Sequence, residues 1–411
     1  MLGREELRET VLSYEELIRK ENPIEREILP ELEKSLKFEE VSVIAGVRRS
    51  GKTFVLYSLA KKYGGVYINF EDERLINFDY SDFEKLLSII NEKKEKILYL
   101  DEVQNVKGWE KFASRINRRV KVFVSGSNSK LLCSEFSTAL TGRTITYIIR
   151  PLSFREFLLF RKIKTSDRDE LRSQLEKYID LGGFPRVVLT NEKTLAAEYF
   201  NRILYRDIIP RFSIKKPDSL HKLAVFLISN VGSRFSYRKL KDYCGLDHES
   251  TVKGYIFYLT QAFLLDVVNK YSPSLRIQEA NPKKVYAVDT AFSTILPSST
   301  VDRTRLFENI IYNELKSYQR YNIFYEQKKR EVDFLLADNM RPVAGINASY
   351  EINDKKTFAR ETEGLVSLKK GIKKFLITLY PPSFEIESGI TYLSAIDFLL
   401  KKSLFNSQLS R

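Results

Sequence analysis

Eight consecutive residues, Gly46-Val47-Arg48-Arg49-Ser50-Gly51-Lys52-Thr53, satisfy the spacing G-x-x-x-x-G-K-[ST] at every fixed position, and Phe54 opens the apolar helical stretch that follows. Glycines at those places let the backbone curl until its N–H groups face phosphate oxygens at a helix N-terminus. Lys52 then reaches the β- and γ-phosphates of a nucleotide, and the Thr53 hydroxyl ligates Mg²⁺. A second stretch, "KILYLDEVQ", is an apolar strand ending in Asp101 and Glu102. Two carboxylates at the end of a buried strand are costly unless they serve a cation or a water. In that arrangement Asp101 supports Mg²⁺ and Glu102 polarises the attacking water as general base. The chemistry expected of the pair of motifs is hydrolysis of ATP to ADP with Mg²⁺.

Other positions would complete such a site. The strand "VKVFVSGSNSK" brings Ser127 or Asn128 beside the attacking water as a polar sensor, or else simply ends in a turn. Asn69, at the end of "VYINFED", either holds Glu102 idle or caps its strand. Arg143, in "ALTGRTITY", is the first choice for an arginine supplied to a neighbour's γ-phosphate, with Arg115, Arg118 and Arg119 as rivals; the plain alternative is a solvated loop arginine. Of the two arginines inside the loop, Arg48 and Arg49, either one reaches the nucleotide or anchors the loop, or both are long side chains exposed on a tight turn.

These residues need a scaffold that delivers strand ends to one edge. Between Val41 and Leu152, short β-branched runs ("VSVIAG", "VYINFED", "ILYLDEV", "VKVFVSGS", "TITYIIRPL") alternate with segments of helical period. That is the pattern of a parallel α/β sheet with crossover helices. From Leu152 to about Tyr271 the period is helical, broken at "GGFP" and "KKPDS". Within it, "FSYRKLKDYCGLDHESTVKGYIFYLTQAFLLDVV" has a helix, a glycine turn, a second helix and a β-rich tail, the order of a winged helix. Beyond "NKYSPSLRIQEANPKK", the runs "VYAVDTAF", "NIFYEQ", "EVDFLLAD", "PVAGINAS" and "KKFLITLY" predict a third, α/β domain. The expected division is a helical segment at 1–24, the phosphate-loop domain at 25–160, a helical and winged-helix domain at 161–272 and the last domain at 273–411.

Composition narrows the function classes. A chain of 411 residues, 43% hydrophobic and 30% charged, is ordered and multidomain. Two cysteines, Cys133 and Cys244, and two histidines, His221 and His248, exclude a disulfide framework, a cysteine zinc site and a histidine-rich metal centre. No apolar run has the length of a membrane span and the charged start is no secretory signal, so the expected location is the cytoplasm, away from membranes. The formal charge of +14 makes a polyanion such as DNA an expected partner, although a solvated basic surface gives the same number.

The motifs together resemble the AAA+-superfamily ATPases of archaea and bacteria that carry a G-x-R-R-x-G-K-T loop, an L-D-E strand, an S-G-S strand and then L-x-G-R followed by P-L-S-F-R-E-F. Here these read "GVRRSGKT", "YLDEVQ", "VSGSNSKLL" and "LTGRTITYIIRPLSFREFL". The resemblance is dense over residues 25–160 and thinner through "GGFPRVVL", "YRDIIPRF" and "EVDFLL". It implies a P-loop domain followed by winged-helix and restriction-endonuclease-like domains. It also implies a nucleotide-sensing arginine, Arg186, and a homo-oligomer whose subunits exchange an arginine. Nucleases of the last fold use a helix Glu, a strand Asp and a Glu-x-Lys pair. Glu308 and Asp333 match the first two, but Gly345 and Asn347 stand where Glu and Lys belong, so the fold is expected without cleavage. The leading expectation is an ATP-driven switch or motor on DNA; the others are a regulatory ATPase with a protein target and an ATP-regulated nuclease.

Overall fold

The computed structural model describes residues 2–126, 143–296, 302–382, 384–385 and 389–410. The chain divides into two units, Met1–Pro151 and Leu152–Arg411.

In the first unit, strands β1 (Val41–Ala45), β2 (Val66–Asn69), β3 (Ile97–Asp101), β4 (Lys121–Gly126) and β5 (Thr144–Ile148) are the five expected runs. They pair in parallel in the order β2-β3-β4-β1-β5. Helices α1 (Arg4–Lys20), α2 (Lys52–Tyr63), α3 (Asp82–Lys93) and α4 (Trp109–Ile116) surround the sheet. Both faces are covered, which is why the strands read as unbroken apolar runs. Val43, Ile68, Leu98, Leu100 and Val124 pack with Leu86 and Phe112 from α3 and α4. Ile44, Tyr67, Tyr99 and Phe123 pack on the other face with Tyr14 of α1 and Leu56 and Leu59 of α2. Because α1 touches β2, α2 and α3, the segment expected as a separate N-terminal piece is part of this unit.

The second unit begins with helices α5 (Phe154–Phe160), α6 (Arg168–Leu181) and α7 (Pro185–Thr190). The "SFRE" that opens α5 is a capping box. Glu156 N–H donates to Ser153 Oγ at 3.2 Å, and Ser153 N–H donates to Glu156 Oε2 at 3.0 Å. The "GGFP" break between α6 and α7 is fixed by Asp289. Gly183 N–H donates to its Oδ2 at 2.7 Å, and a Cβ on Gly182 would sit 1.7 Å from its Oδ1. Burial pushes the Asp289 carboxyl up to about 7, against the two backbone N–H groups of Ala291 and Gly183.

Next come α8 (Pro217–Ser229), β6 (Arg234–Phe235), α9 (Tyr237–Cys244), α10 (Glu249–Gln261), β7 (Leu265–Asn269) and β8 (Lys283–Ala287). The three strands form an antiparallel sheet in the order β6-β8-β7. The run "VYAVDTAF", expected to open the last domain, supplies a strand that pairs with β7 and β6, so the boundary placed between 272 and 273 cuts through this sheet. The physical reason is hydrogen bonding: β8 is the central strand, and without it β6 and β7 have no partner. A five-stranded sheet follows, with β9 (Asn322–Gln327), β10 (Glu331–Asp338) and β11 (Arg341–Ser349) antiparallel and β12 (Lys373–Thr378) and β13 (Thr391–Ser394) continuing in parallel. Helix α11 (Arg303–Ser317) packs on β8 and β11, and α12 (Lys355–Val366) packs on β10, β11 and β12.

Candidate functional site

The loop between β1 and α2 is shaped by contacts that its glycines permit. Gly46 has φ 147°, and a Cβ there would lie 2.1 Å from the carbonyl oxygen of Ile149, just past β5. Gly51, with φ 97°, begins α2. Lys52 is buried, and its Nζ donates to the carbonyls of Gly46 at 3.0 Å and Val47 at 3.1 Å, so the ammonium sits inside the curl of the loop. Ser50 is fully buried, and its Oγ has no hydrogen-bond partner among the described residues. A buried hydroxyl in that state is normally satisfied, and a phosphate oxygen or a water bound in the cradle would meet the need.

Strand alternation explains the second half of the site. Ile97 and Tyr99 face α2, so Asp101, two residues on, faces α2 as well. Thr53 Oγ1 and Tyr67 OH each donate to Asp101 Oδ2 at 2.7 Å. Glu102 N–H donates to Oδ1 at 3.1 Å, and the Ser125 hydroxyl donates to the same oxygen. Asp101 has no solvent exposure. Burial, then the neighbouring charge of Glu102, pushes its carboxyl above the ordinary range, against the hydroxyls of Ser125, Tyr67 and Thr53. This is a hard-oxygen donor set, a carboxylate beside a threonine hydroxyl at the mouth of a phosphate cradle, and it fits Mg²⁺ held by few protein ligands with phosphates supplying the rest. The fit with a Mg-nucleotide rests on that set and on the Ser50 hydroxyl.

Glu102 has left-handed backbone, φ 52° and ψ 44°, a sparsely populated region for a side-chain-bearing residue. Its carboxylate accepts from Gln104 Nε2. Asn69, read either as a holder of Glu102 or as a strand cap, accepts Glu71 N–H at 2.8 Å through its Oδ1. Arg48 Nη2 lies 3.1 Å from Glu71 Oε1, and Arg49 is exposed with φ 69°. The two loop arginines therefore differ: the first ties the cradle to the β2 edge and the second faces solvent. Phe54 is half exposed, with its ring edge against Tyr57 at 5.7 Å.

Three residues bear on this geometry that motif spacing does not reveal. Arg26 is buried, donating from Nη1 to the Ser50 carbonyl at 2.7 Å and from Nη2 to the Arg150 carbonyl at 2.8 Å. It straps the phosphate loop to the chain beyond β5. Tyr67 and Ser125 hold Asp101, and the period-2 alternation that places Asp101 on the α2 face would have found both.

Arg143 sits elsewhere. Val41 N–H donates to its carbonyl at 2.9 Å, which puts it at the sheet edge where β1 begins, while the cradle lies where β1 ends. Five strand residues separate the two edges, about 15 Å. Arg143 Nη1 lies 3.3 Å from Ser114 Oγ, in a hollow of about 200 Å³ lined also by Glu39, Glu40 and Arg118. Within one chain, Arg143 is on the wrong edge to reach its own nucleotide. Arg115 is paired with Glu84, while Arg118 and Arg119 are exposed. Ser127 and Asn128 lie outside the described residues. Arg186, in the second unit, is exposed on α7.

Residues 39–158 match the AAA domain, and residues 172–302 match a domain of unknown function, DUF8612. The chain is 33% identical over 369 residues to uncharacterized protein MJ1544 of Methanocaldococcus jannaschii, covering 84% of this chain and 82% of that protein. It is 30% identical over 403 residues to an uncharacterized protein of Haemophilus influenzae, covering 90% and 97%. Among solved structures, the Walker-type ATPase paby2304 of Pyrococcus abyssi aligns with a TM-score of 0.44 and 16% identity, over 66% of this chain and 95% of that one.

Proposed function

Since the chain belongs to one family with MJ1544 and its Haemophilus relative, and its residues 39–158 form an AAA domain of P-loop ATPase type, we propose that it is a Mg-dependent ATPase working as a nucleotide-driven switch on DNA. The observation that carries the reading is the pairing of Thr53 with the buried Asp101 beside the Lys52 ammonium. Mg²⁺, when bound, neutralises charge on the phosphates and orients them. Lys52 leaves its loop carbonyls to meet phosphate oxygens, and the N–H groups of the curl add to it. Glu102, once released from Gln104, orients a water and takes its proton. In a homo-oligomer, Arg143 of one subunit would serve the nucleotide of the next; its position on the edge opposite its own cradle supports that role over one within its own chain. Arg186 is kept as a second nucleotide-sensing candidate, supported by the family resemblance alone.

The DNA reading draws on the charge of +14 and on α8, β6, α9, α10, β7 and β8, whose order and β6-β8-β7 pairing support a winged-helix reading. Arg238 and Lys239 on α9 and Lys253 on α10 are exposed there. A protein target is the second reading, favoured by Phe257 on α10 and by Leu275 and Ile277 between β7 and β8, which are 51%, 73% and 53% exposed. Titration of duplex and branched DNA at rising salt separates them. DNA as partner predicts binding that weakens steeply with salt and hydrolysis that responds to DNA. Indifference to DNA at low salt removes the DNA reading and leaves the protein one.

A further inference from the structure

The carboxylates that mark the nuclease-like end of the chain enclose a lysine from another sheet. Lys284, on β8, is 1% exposed, and its Nζ lies 2.9 Å from Glu308 Oε1, 2.5 Å from Glu331 Oε1 and 3.2 Å from Asp333 Oδ1. Tyr286 OH donates to the same Glu308 oxygen at 2.6 Å. We propose that the Lys284 ammonium is a built-in cation that occupies the place of a divalent metal in this cluster, closing it to metal and locking the three-stranded sheet to the five-stranded one.

Each position around the lysine supports a closed site. A Cβ at Gly345 would lie 2.2 Å from Leu368 Cδ1, so a strand acid there would require the Leu368 side chain to move aside. Asn347 braces the backbone instead of facing a metal, since its Oδ1 accepts Asp333 N–H at 3.0 Å and its Nδ2 donates to the Glu361 carbonyl at 2.8 Å. The other Asp333 oxygen accepts Ala348 N–H at 3.0 Å, and Arg234 of β6 lies 3.6 Å from Glu331. Among the described residues no group of three or more His, Cys, Asp or Glu side chains is arranged to hold a metal ion. Burial works against the Lys284 charge, and Glu308, Tyr286, Asp333 and Glu331 outweigh it, so the group holds its proton more tightly than an ordinary lysine. A buried ammonium among carboxylates is strongly missed when removed alone, because the acids stay behind. The lock also has a mechanical side. Lys284 pairs with Val268 and Arg234 across its own sheet, and Tyr271 N–H donates to the Tyr325 carbonyl of β9 at 2.8 Å, so the lysine and the strand edges join the same two sheets.

This inference stands apart from the nucleotide site, and its test reads a different quantity. Thermal melting of the full chain is followed with and without Mn²⁺, for wild type, Asp333→Asn, Lys284→Met, Lys284→Met with Asp333→Asn, and Lys284→Met with Glu308→Gln. The wild type is expected to show no Mn²⁺ shift that depends on Asp333 and no cleavage of supercoiled plasmid. Lys284→Met is expected to melt roughly 10 °C lower. Added Mn²⁺ should return much of that loss, and Asp333→Asn should remove the Mn²⁺ effect. Should Lys284→Met fail to fold, the double variant with Glu308→Gln must recover folding, since it removes an acid together with the lysine. Wild-type Mn²⁺ binding or DNA cleavage that Asp333→Asn abolishes overturns the proposal. So does a Lys284→Met protein that melts like wild type or ignores Mn²⁺, or a double variant that recovers nothing.

Discussion

Thr53 Oγ1 donates to Asp101 Oδ2 at 2.7 Å, joining the end of the phosphate loop to the end of the strand that carries the acidic pair. Neither residue forms a site alone. Thr53→Ala or Asp101→Asn should lower Mg-dependent ATP hydrolysis by about 100-fold or more. Asp101→Asn should not melt below wild type without nucleotide, since the Thr53 and Tyr67 hydroxyls can turn to accept from an amide. Burial raises the Asp101 pKa, so the native state binds its proton more tightly than the unfolded chain does, and its ionisation erodes stability as pH rises. The advantage of Asp101→Asn in melting should therefore grow with pH, as differential scanning calorimetry would record.

Arg26 bridges the Ser50 and Arg150 carbonyls, and its loss leaves the phosphate loop without that strap. Arg26→Ala should cost about 2–3 kcal/mol of stability, the range for hydrogen bonds to a charged group, and weaken ATP binding about tenfold. Arg26→Lys should recover part of the stability, because one ammonium cannot span both carbonyls as a planar guanidinium does. Calorimetric titration with a slowly hydrolysed ATP analogue checks the affinity.

The Glu102 carboxylate is held by Gln104 within one turn, so re-aiming it toward a water has a local cost. Gln104→Ala should raise basal hydrolysis by about 10- to 100-fold, the worth of one hydrogen bond to a charged acceptor, with ATP affinity unchanged. Steady-state kinetics separating kcat from KM decides this. A fall in kcat would mean that Gln104 aims Glu102 rather than restrains it.

The sequence patterns located the parallel sheet, the loop and the acidic pair because these follow from period-2 runs and fixed motif spacing. Tyr67 and Ser125 were legible in principle, since each shares strand parity with the α2-facing side chains, but nothing in motif spacing points to them. Arg26 was not, because it reaches the loop from an irregular segment with no period. The Lys284 cluster escaped for a related reason: β8 belongs to one sheet, Glu331 and Asp333 to another and Glu308 to helix α11, and such pairing is set by tertiary packing. Arg143 shows the converse, a residue picked by motif whose edge of the sheet only the strand register reveals.

Asp289 accepts two backbone N–H groups that hold the Gly182–Gly183 turn, and its carboxyl is pushed up to about 7 by burial. Its folded pKa lies above the unfolded value near 3.9, so its contribution is full below about pH 4 and is lost as pH rises toward 7. Asp289→Asn loses one of the two hydrogen bonds but has no charge to bury. Its deficit against wild type in urea melts should shrink by up to about 1.4 kcal/mol per pH unit across that window.

The most direct test of the ATPase account is Mg-dependent phosphate release by wild type, Lys52→Ala and Glu102→Gln, each with and without duplex DNA. The account predicts hydrolysis by the wild type that DNA accelerates, loss of hydrolysis in both variants, and retained ATP binding in Glu102→Gln. A wild type that releases no phosphate under any of these conditions, or variants as active as the wild type, would contradict it.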